Sequence, residues 1–162
     1  MDMLVRLYDL EPMNWLAEPI SESNVAIRRA LPAEAILISS WVKRTFGAGW
    51  AGEASAALSR TPTTCYVALA GQELHGFACW DVSALGFFGP LGVNPALRRK
   101  GIGTALLGRC LESMLQQGYG YAIIGGVSDP DFYAKSVGAV PVAASTPGIY
   151  RGLLRTDELH GQ

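Results

Sequence analysis

Histidine and cysteine are scarce in this chain. It has two histidines, His75 and His160, and three cysteines, Cys65, Cys79 and Cys110, with no C-x-x-C pair. An odd set of thiols without metal-ligand spacing argues against a disulfide framework and against a zinc site. All three lie in apolar segments and read as buried thiols in a reducing compartment. No apolar run is long enough to cross a bilayer, and the start, MDMLVRLYDL, lacks the continuous apolar core of a secretory leader. An excess of one charge is missing too. Thirteen Lys and Arg stand against 14 Asp and Glu, a formal net charge of -1, which argues against a generally basic nucleic-acid-binding surface. There is no G-x-x-x-x-G-K-[ST], and no G-x-G-x-x-G in the first strand–turn unit, so a nucleotide-binding fold lacks support. These absences give a reading of a cytoplasmic protein with no metal, no membrane and no nucleic-acid partner.

What is there fits one globular domain. Hydrophobic residues make up 49% and charged residues 17% of 162, enough to build a core and too apolar for disorder. Residues 1–23 show little periodicity. Leu4, Arg6 and Tyr8 belong either to a short strand or to an extended arm. Residues 25–30 read as a first core strand, and 33–46 as a helix with Leu37, Trp41 and Thr45 on one face and Ile38 and Val42 beside it. A second helix fits 51–60. The joint between them holds Phe46 and Trp50, which either close the core or face a substrate.

The period then shortens. Residues 65–69, 75–82 and 87–93 read as an antiparallel meander, turning at 70–73. His75, next to that turn, is expected to be exposed. Pro90 and two glycines inside the third strand predict a bulge or a lost ladder bond. A helix follows with Leu107, Leu111, Met114 and Leu115 on one stripe, widened by Ile102, Leu106 and Cys110. The continuous apolar run 121–127 reads as a strand buried on both faces, parallel to the strand before the helix. A short helix at 130–137, capped by Asp129, and two last strands at 139–143 and 149–154 complete the chain.

The chemistry concentrates at Arg98-Arg99-Lys100-Gly101-Ile102-Gly103-Thr104, where three cations and two glycines meet a helix start. Backbone N–H groups there lack partners and the macrodipole is positive, so a phosphate is the natural guest. A solvated helix start with surface cations is the alternative.

At this point the chain resembles the GCN5-related N-acetyltransferase (GNAT) superfamily, over about residues 24–154. Arg98 to Gly103 matches that family's Q/R-x-x-G-x-G/A signature, and Phe132-Tyr133-Ala134-Lys135 its aromatic-Tyr segment. This sequence adds one residue before Gly138 and has Ala139 in place of the usual aromatic. The resemblance implies an α/β fold. Its central sheet would be mixed and mostly antiparallel, of about 6–7 strands, splayed between the fourth and fifth core strands and flanked by about four helices. Residues 1–23 would form a strand or arm, 24–154 the acetyltransferase domain and 155–162 a tail.

The implied function is direct acetyl transfer from acetyl-CoA, as donor, to a primary amine of a small molecule or peptide. The alternative is a non-catalytic CoA-binding module acting as sensor or partner. Arg98, Arg99, Lys100, Gly101, Ile102, Gly103 and Thr104 would hold the pyrophosphate. Leu91, Gly92 and Val93 would pair with the pantetheine arm, and Phe132 and Tyr133 would border it. Tyr133 would protonate the leaving thiolate, with a packing role on the sheet as the alternative. Asp81 or Glu53 would take the amine proton, or else serve as ordinary surface carboxylates. Family members are often dimers, and the N-terminal arm is a candidate contributor to a homodimer.

Overall fold

A computed structural model of the chain describes residues 1–10 and 24–155. Its strands are β1 (Met3–Arg6), β2 (Val25–Arg29), β3 (Cys65–Ala70), β4 (Glu73–Trp80), β5 (Phe87–Val93), β6 (Tyr121–Ile124) and β7 (Val140–Pro141). Its α-helices are α1 (Ala35–Phe46), α2 (Ala48–Leu58), α3 (Ile102–Gln116) and α4 (Pro130–Val137). The strands form one seven-stranded sheet in the order β2-β3-β4-β5-β6-β1-β7. Every neighbouring pair is antiparallel except β5–β6, which the α3 crossover makes parallel.

Strand alternation sorts side chains into two core layers. Tyr66 and Ala68 of β3 and Ala78 and Trp80 of β4 face α3, against its buried Leu106, Leu107, Cys110, Leu111 and Met114. Cys65, Val67, Phe77 and Cys79 face the opposite way, against Ile38 and Val42 of α1 and Ala54, Ala57 and Leu58 of α2. Fully burying a large aliphatic side chain contributes about 1.5–3 kcal/mol, so the α3 stripe is the main anchor of its layer. Burial pushes the Cys79 and Cys110 thiols well above their usual range, as suits inert core groups.

The structure settles one open point and corrects several expectations. The N-terminal segment is a strand: β1 lies inside the sheet, between β6 and β7. The rest of the expected arm, 11–23, and most of the expected tail, 156–162, lie outside the described residues. On α1 the buried stripe is Ile38 and Val42, while Leu37 is exposed. The joint before α2 shrinks to Gly47, whose φ of 102° lets the chain turn at once into a new helix.

β6 stops at Ile124, and Tyr121 is exposed, so 121–127 is no doubly buried strand. Gly126 leaves the sheet because its N–H is taken by the Asp2 carboxylate at 3.0 Å. The expected strand 139–143 reduces to Val140–Pro141, a two-residue edge ended by a residue without an N–H. The expected strand 149–154 is instead a 3-10 turn at Gly148–Tyr150, with Gly148 at φ 66° opening it and Gly152 at φ 74° just beyond it. His75 is buried, its Nδ1 without a partner among the described residues, so proximity to a hairpin did not expose it. No helix among the described residues is long and apolar enough to cross a membrane.

Candidate functional site

The site begins with a defect in β5. Ala78 pairs with Leu91 and Trp80 with Phe88, so β5 carries one residue more than β4 across this span, at Gly89–Pro90. The bulge swings the rest of β5 away from β6. The two strands pair only at Phe87 with Ile123 and Phe88 with Ile124. Beyond Phe88 the β6-facing edge of β5, through Leu91 to Val93, has no strand beside it among the described residues. An unpaired strand edge inside a sheet is a ready partner for an extended ligand with amide groups.

β5 runs directly into the glycine turn. Asn94 caps a 3-10 turn at Pro95–Leu97 by accepting from the Ala96 N–H at 3.1 Å. Arg99 then takes φ 64° and Gly101 φ 87°, which aims the chain into α3. The first backbone bond of α3 is Ala105 N–H to Gly101 C=O at 3.0 Å. Gly101 offers no side-chain cap, so the N–H groups of Ile102, Gly103 and Thr104 have no acceptor among the described residues. Arg98 and Arg99 are exposed above them, and Lys100 is half-buried.

A Cβ built on Gly103 would meet nothing closer than 3.7 Å, so packing does not demand glycine there. An uncapped helix start, adjacent cations and a bare backbone fit a diphosphate group. The cavity in front, about 510 Å³, has Gly101, Gly103 and Thr104 on one wall and Leu91, Val93 and Phe132 on others.

α4 brings in the tyrosine. Asp129 caps it by accepting from the Phe132 N–H at 3.1 Å. Tyr133 packs edge-on against Phe88, with ring centroids 6.3 Å apart, and against Phe132 at 4.9 Å. Burial, with the nearby Asp129 charge, pushes its phenol up to about 12. Its hydroxyl has no hydrogen-bond partner among the described residues, so it keeps a proton to give.

Tyr133, Leu91 and Trp50 border a second cavity as well, of about 470 Å³. Trp50 is therefore shared between core and cleft: it touches Phe46 and Phe77 while standing 37% exposed. The second cavity carries a carboxylate, Glu53 of α2. Glu53 Oε1 accepts from Ser83 Oγ at 2.5 Å and from Tyr150 Oη at 3.0 Å, and the two hydroxyl oxygens lie 2.9 Å apart. No described residue bonds Oε2. Two donors on one oxygen hold the carboxylate in place and leave the other for a cationic guest.

Most sequence-predicted residues therefore come together. Leu91, Gly92, Val93, Arg98, Arg99, Gly101, Ile102, Gly103, Thr104, Phe132 and Tyr133 all line the first cavity. Lys100 belongs to the same turn without lining the cavity. Asp81 is the correction. It lines neither cavity, is 4% exposed, and sits at φ 58° in the β4–β5 connection. Its carboxylate accepts from the Gly86 N–H at 2.7 Å and from Tyr119 Oη at 3.0 Å, so it clamps a loop. Ser83 and Tyr150 were missed. They reach Glu53 from 30 and 97 residues away, so no local spacing marks them.

A family model described as the acetyltransferase (GNAT) family matches residues 33–138. No curated protein matches the sequence. Three solved structures place the fold. A GCN5-related glucosamine N-acetyltransferase region of a fungal multi-domain GH3 β-N-acetylglucosaminidase is 15% identical, with a TM-score of 0.68 over 84% of this chain and 19% of that one. A GCN5-related N-acetyltransferase from Sphaerobacter thermophilus is 18% identical, with a TM-score of 0.58 over 86% of this chain and 47% of that one. An aminoglycoside acetyltransferase from an uncultured soil metagenomic sample, complexed with trehalose, is 14% identical, with a TM-score of 0.51 over 70% of this chain and 85% of that one. This chain spans less than half of the first two proteins.

Proposed function

This chain belongs to the acetyltransferase (GNAT) family, and we propose that it moves the acetyl group of acetyl-CoA directly onto a primary amine. The observation that carries the reading is the meeting of two cavities at Tyr133, one ending on an uncapped glycine turn and the other on a held carboxylate. Acetyl-CoA supplies the activated acetyl thioester. The N–H groups of Ile102, Gly103 and Thr104 hold its diphosphate, with Arg98 and Arg99 adding charge. The open edge of β5 at Leu91–Val93 lies beside the pantetheine arm and points the thioester toward Tyr133.

The amine enters from the Glu53 side. Glu53 Oε2 binds the ammonium and takes one proton, directly or through a water, which frees the nitrogen lone pair for attack. The carbon–sulfur bond breaks as the carbon–nitrogen bond forms. Tyr133 gives its proton to the departing sulfur, and the surplus proton of the newly acylated nitrogen returns to the Tyr133 phenolate, directly or through a water, which leaves a neutral amide, a free thiol and the phenol. A phenol near 12 is a poor acid for a thiolate in water, but the burial that raises the phenol raises the thiolate's basicity too, so the two stay matched. Trp50, Phe87 and Phe88 give the acceptor cavity apolar walls, which suits an amine with a hydrophobic body.

The test is a panel of small and peptide amines with acetyl-CoA, read by free thiol. Turnover with at least one amine is expected, falling about 10²–10⁴-fold in Tyr133→Phe while CoA affinity stays within about twofold. Tight CoA binding with no thiol release across the panel would leave a CoA-binding module instead.

A further inference from the structure

We propose that the chain carries a second small-ligand site, for an oxyanion of the carboxylate or phosphoryl class, at the end of α3 opposite the glycine turn. α3 has 15 residues, so its ends stand about 22 Å apart. A cavity of about 410 Å³ lies at the C-terminal end, between that helix, the starts of β3 and the ends of β2 and β4.

Its character is set by guanidinium groups. Arg29, half-buried, stacks over Trp80 and Tyr66, each ring centroid 5.3 Å from its Cζ, and donates to the Thr63 carbonyl. Arg60 lines the same cavity, and Arg109 lies 5.0 Å from the Tyr66 ring. None of the three pairs with a carboxylate among the described residues, and no residue lining the cavity is acidic. Elsewhere the fold does pair its half-buried cation: Arg28, next to Arg29, grips both oxygens of Glu34.

A second feature is independent of charge. Thr64 lines the cavity, is 5% exposed, and its Oγ1 is buried with no partner among the described residues. A buried hydroxyl without a partner is unfavourable, and an incoming acceptor oxygen would satisfy it. Ser113 and Gln117 add polar groups, already turned inward by bonds to Tyr66 Oη at 2.9 Å and Trp80 Nε1 at 2.7 Å. The helix C-terminus opposes an anion with about half a charge, against two full cations lining the cavity, so the cations win. Guanidinium groups bind planar and tetrahedral oxyanions alike through paired N–H donors.

The Trp80 indole N–H is a built-in reporter, because Gln117, its acceptor, lines the cavity. The protein, isotopically labelled and saturated with CoA, is titrated with sodium acetate and separately with sodium phosphate. Sodium chloride holds the ionic strength constant, and the indole resonance is followed by NMR. One of the two anions is expected to move it saturably with a Kd of about 1 mM. Saturation by acetate alone assigns the carboxylate class, and by phosphate alone the phosphoryl class. Arg60→Ala, at an exposed position, should weaken the binding about tenfold. Thr64→Val should weaken it too while leaving the ligand-free protein as stable or more stable, a pair of effects that misfolding would not produce. No saturation with either anion, or unchanged binding in both variants, would overturn the site.

Discussion

At the residue scale, the proposed mechanism divides the proton chemistry between Tyr133 and Glu53 by environment. Tyr133 sits near 12 because it is buried, with the Asp129 charge adding to the effect. The sign matters. A phenol raised from 10 stays protonated through neutral and mildly alkaline pH, so the acid form is the resident form wherever the amine is deprotonated. The rate is therefore expected to rise with pH as the acceptor loses its proton, and to hold level to about pH 10, with no descending limb from Tyr133. A kcat profile across pH 6–10 measures this, and a fall beginning near pH 9 would remove Tyr133 as the acid.

Glu53 makes the complementary prediction. Glu53→Gln keeps the size and can still accept from Ser83 and Tyr150, but it loses the charge that receives the ammonium. KM for the amine should rise and kcat fall, together about 10²-fold in kcat/KM, while CoA affinity is unaffected. Equal losses in Asp81→Asn with none in Glu53→Gln would return the role to Asp81.

At the element scale, β5 does two jobs with one irregular strand. Its bulge opens the gap to β6, and its glycine lets an aromatic cluster close the opposite face. A Cβ on Gly92 would lie 2.7 Å from the Phe46 ring and 2.8 Å from Phe77, closer than atoms tolerate. Gly92→Ala must displace the cluster of Phe46, Phe77 and Trp50. The expected cost is about 1–3 kcal/mol in urea unfolding, with a changed near-ultraviolet aromatic signal. A variant as stable as the parent would show that Phe46 is free to move.

Elements of this kind were legible in the sequence because their causes are local. Pro90 between two glycines announced the bulge, and Arg98 to Thr104 announced the turn. The α3 stripe announced its buried face, all from neighbours within one or two turns. Leu37 misled because a 3.6-residue stripe has two candidate edges, and only the sheet decides which is covered. Residues 149–154 misled because Ile149, Leu153 and Leu154 look like strand material. The two left-handed glycines beside them are visible only as glycines, without their φ.

At the scale of the whole molecule, the cavity around Glu53 is built by segments far apart in the chain, which is why its wall was not legible in local sequence. Asp2 shows how. Its carboxylate accepts from the Gly126 N–H at 3.0 Å, its N–H donates to Ser145 Oγ at 2.7 Å, and its carbonyl accepts from Val142 N–H at 2.9 Å. One residue thus ties the loop after β6 to the segment leading to Tyr150, and those two segments supply Gly126, Val127, Pro147 and Tyr150 to the cavity wall around Glu53. The cavity at the glycine turn is lined by residues of β5, α3 and α4, among others, and Asp2 is not one of them.

The two lobes should therefore respond separately. Asp2→Ala leaves the Gly126 N–H short of a partner and frees both segments, at a cost of about 1–3 kcal/mol in stability. KM for the amine is expected to rise about tenfold while the Kd for CoA changes by less than about twofold. Calorimetry with CoA and steady-state kinetics with the best amine of the panel measure the two sides independently. Equal weakening of both would mean that the cleft moves as a single unit and that Asp2 supports the fold in general. A selective loss would instead place acceptor recognition in the segments held by the N-terminal strand.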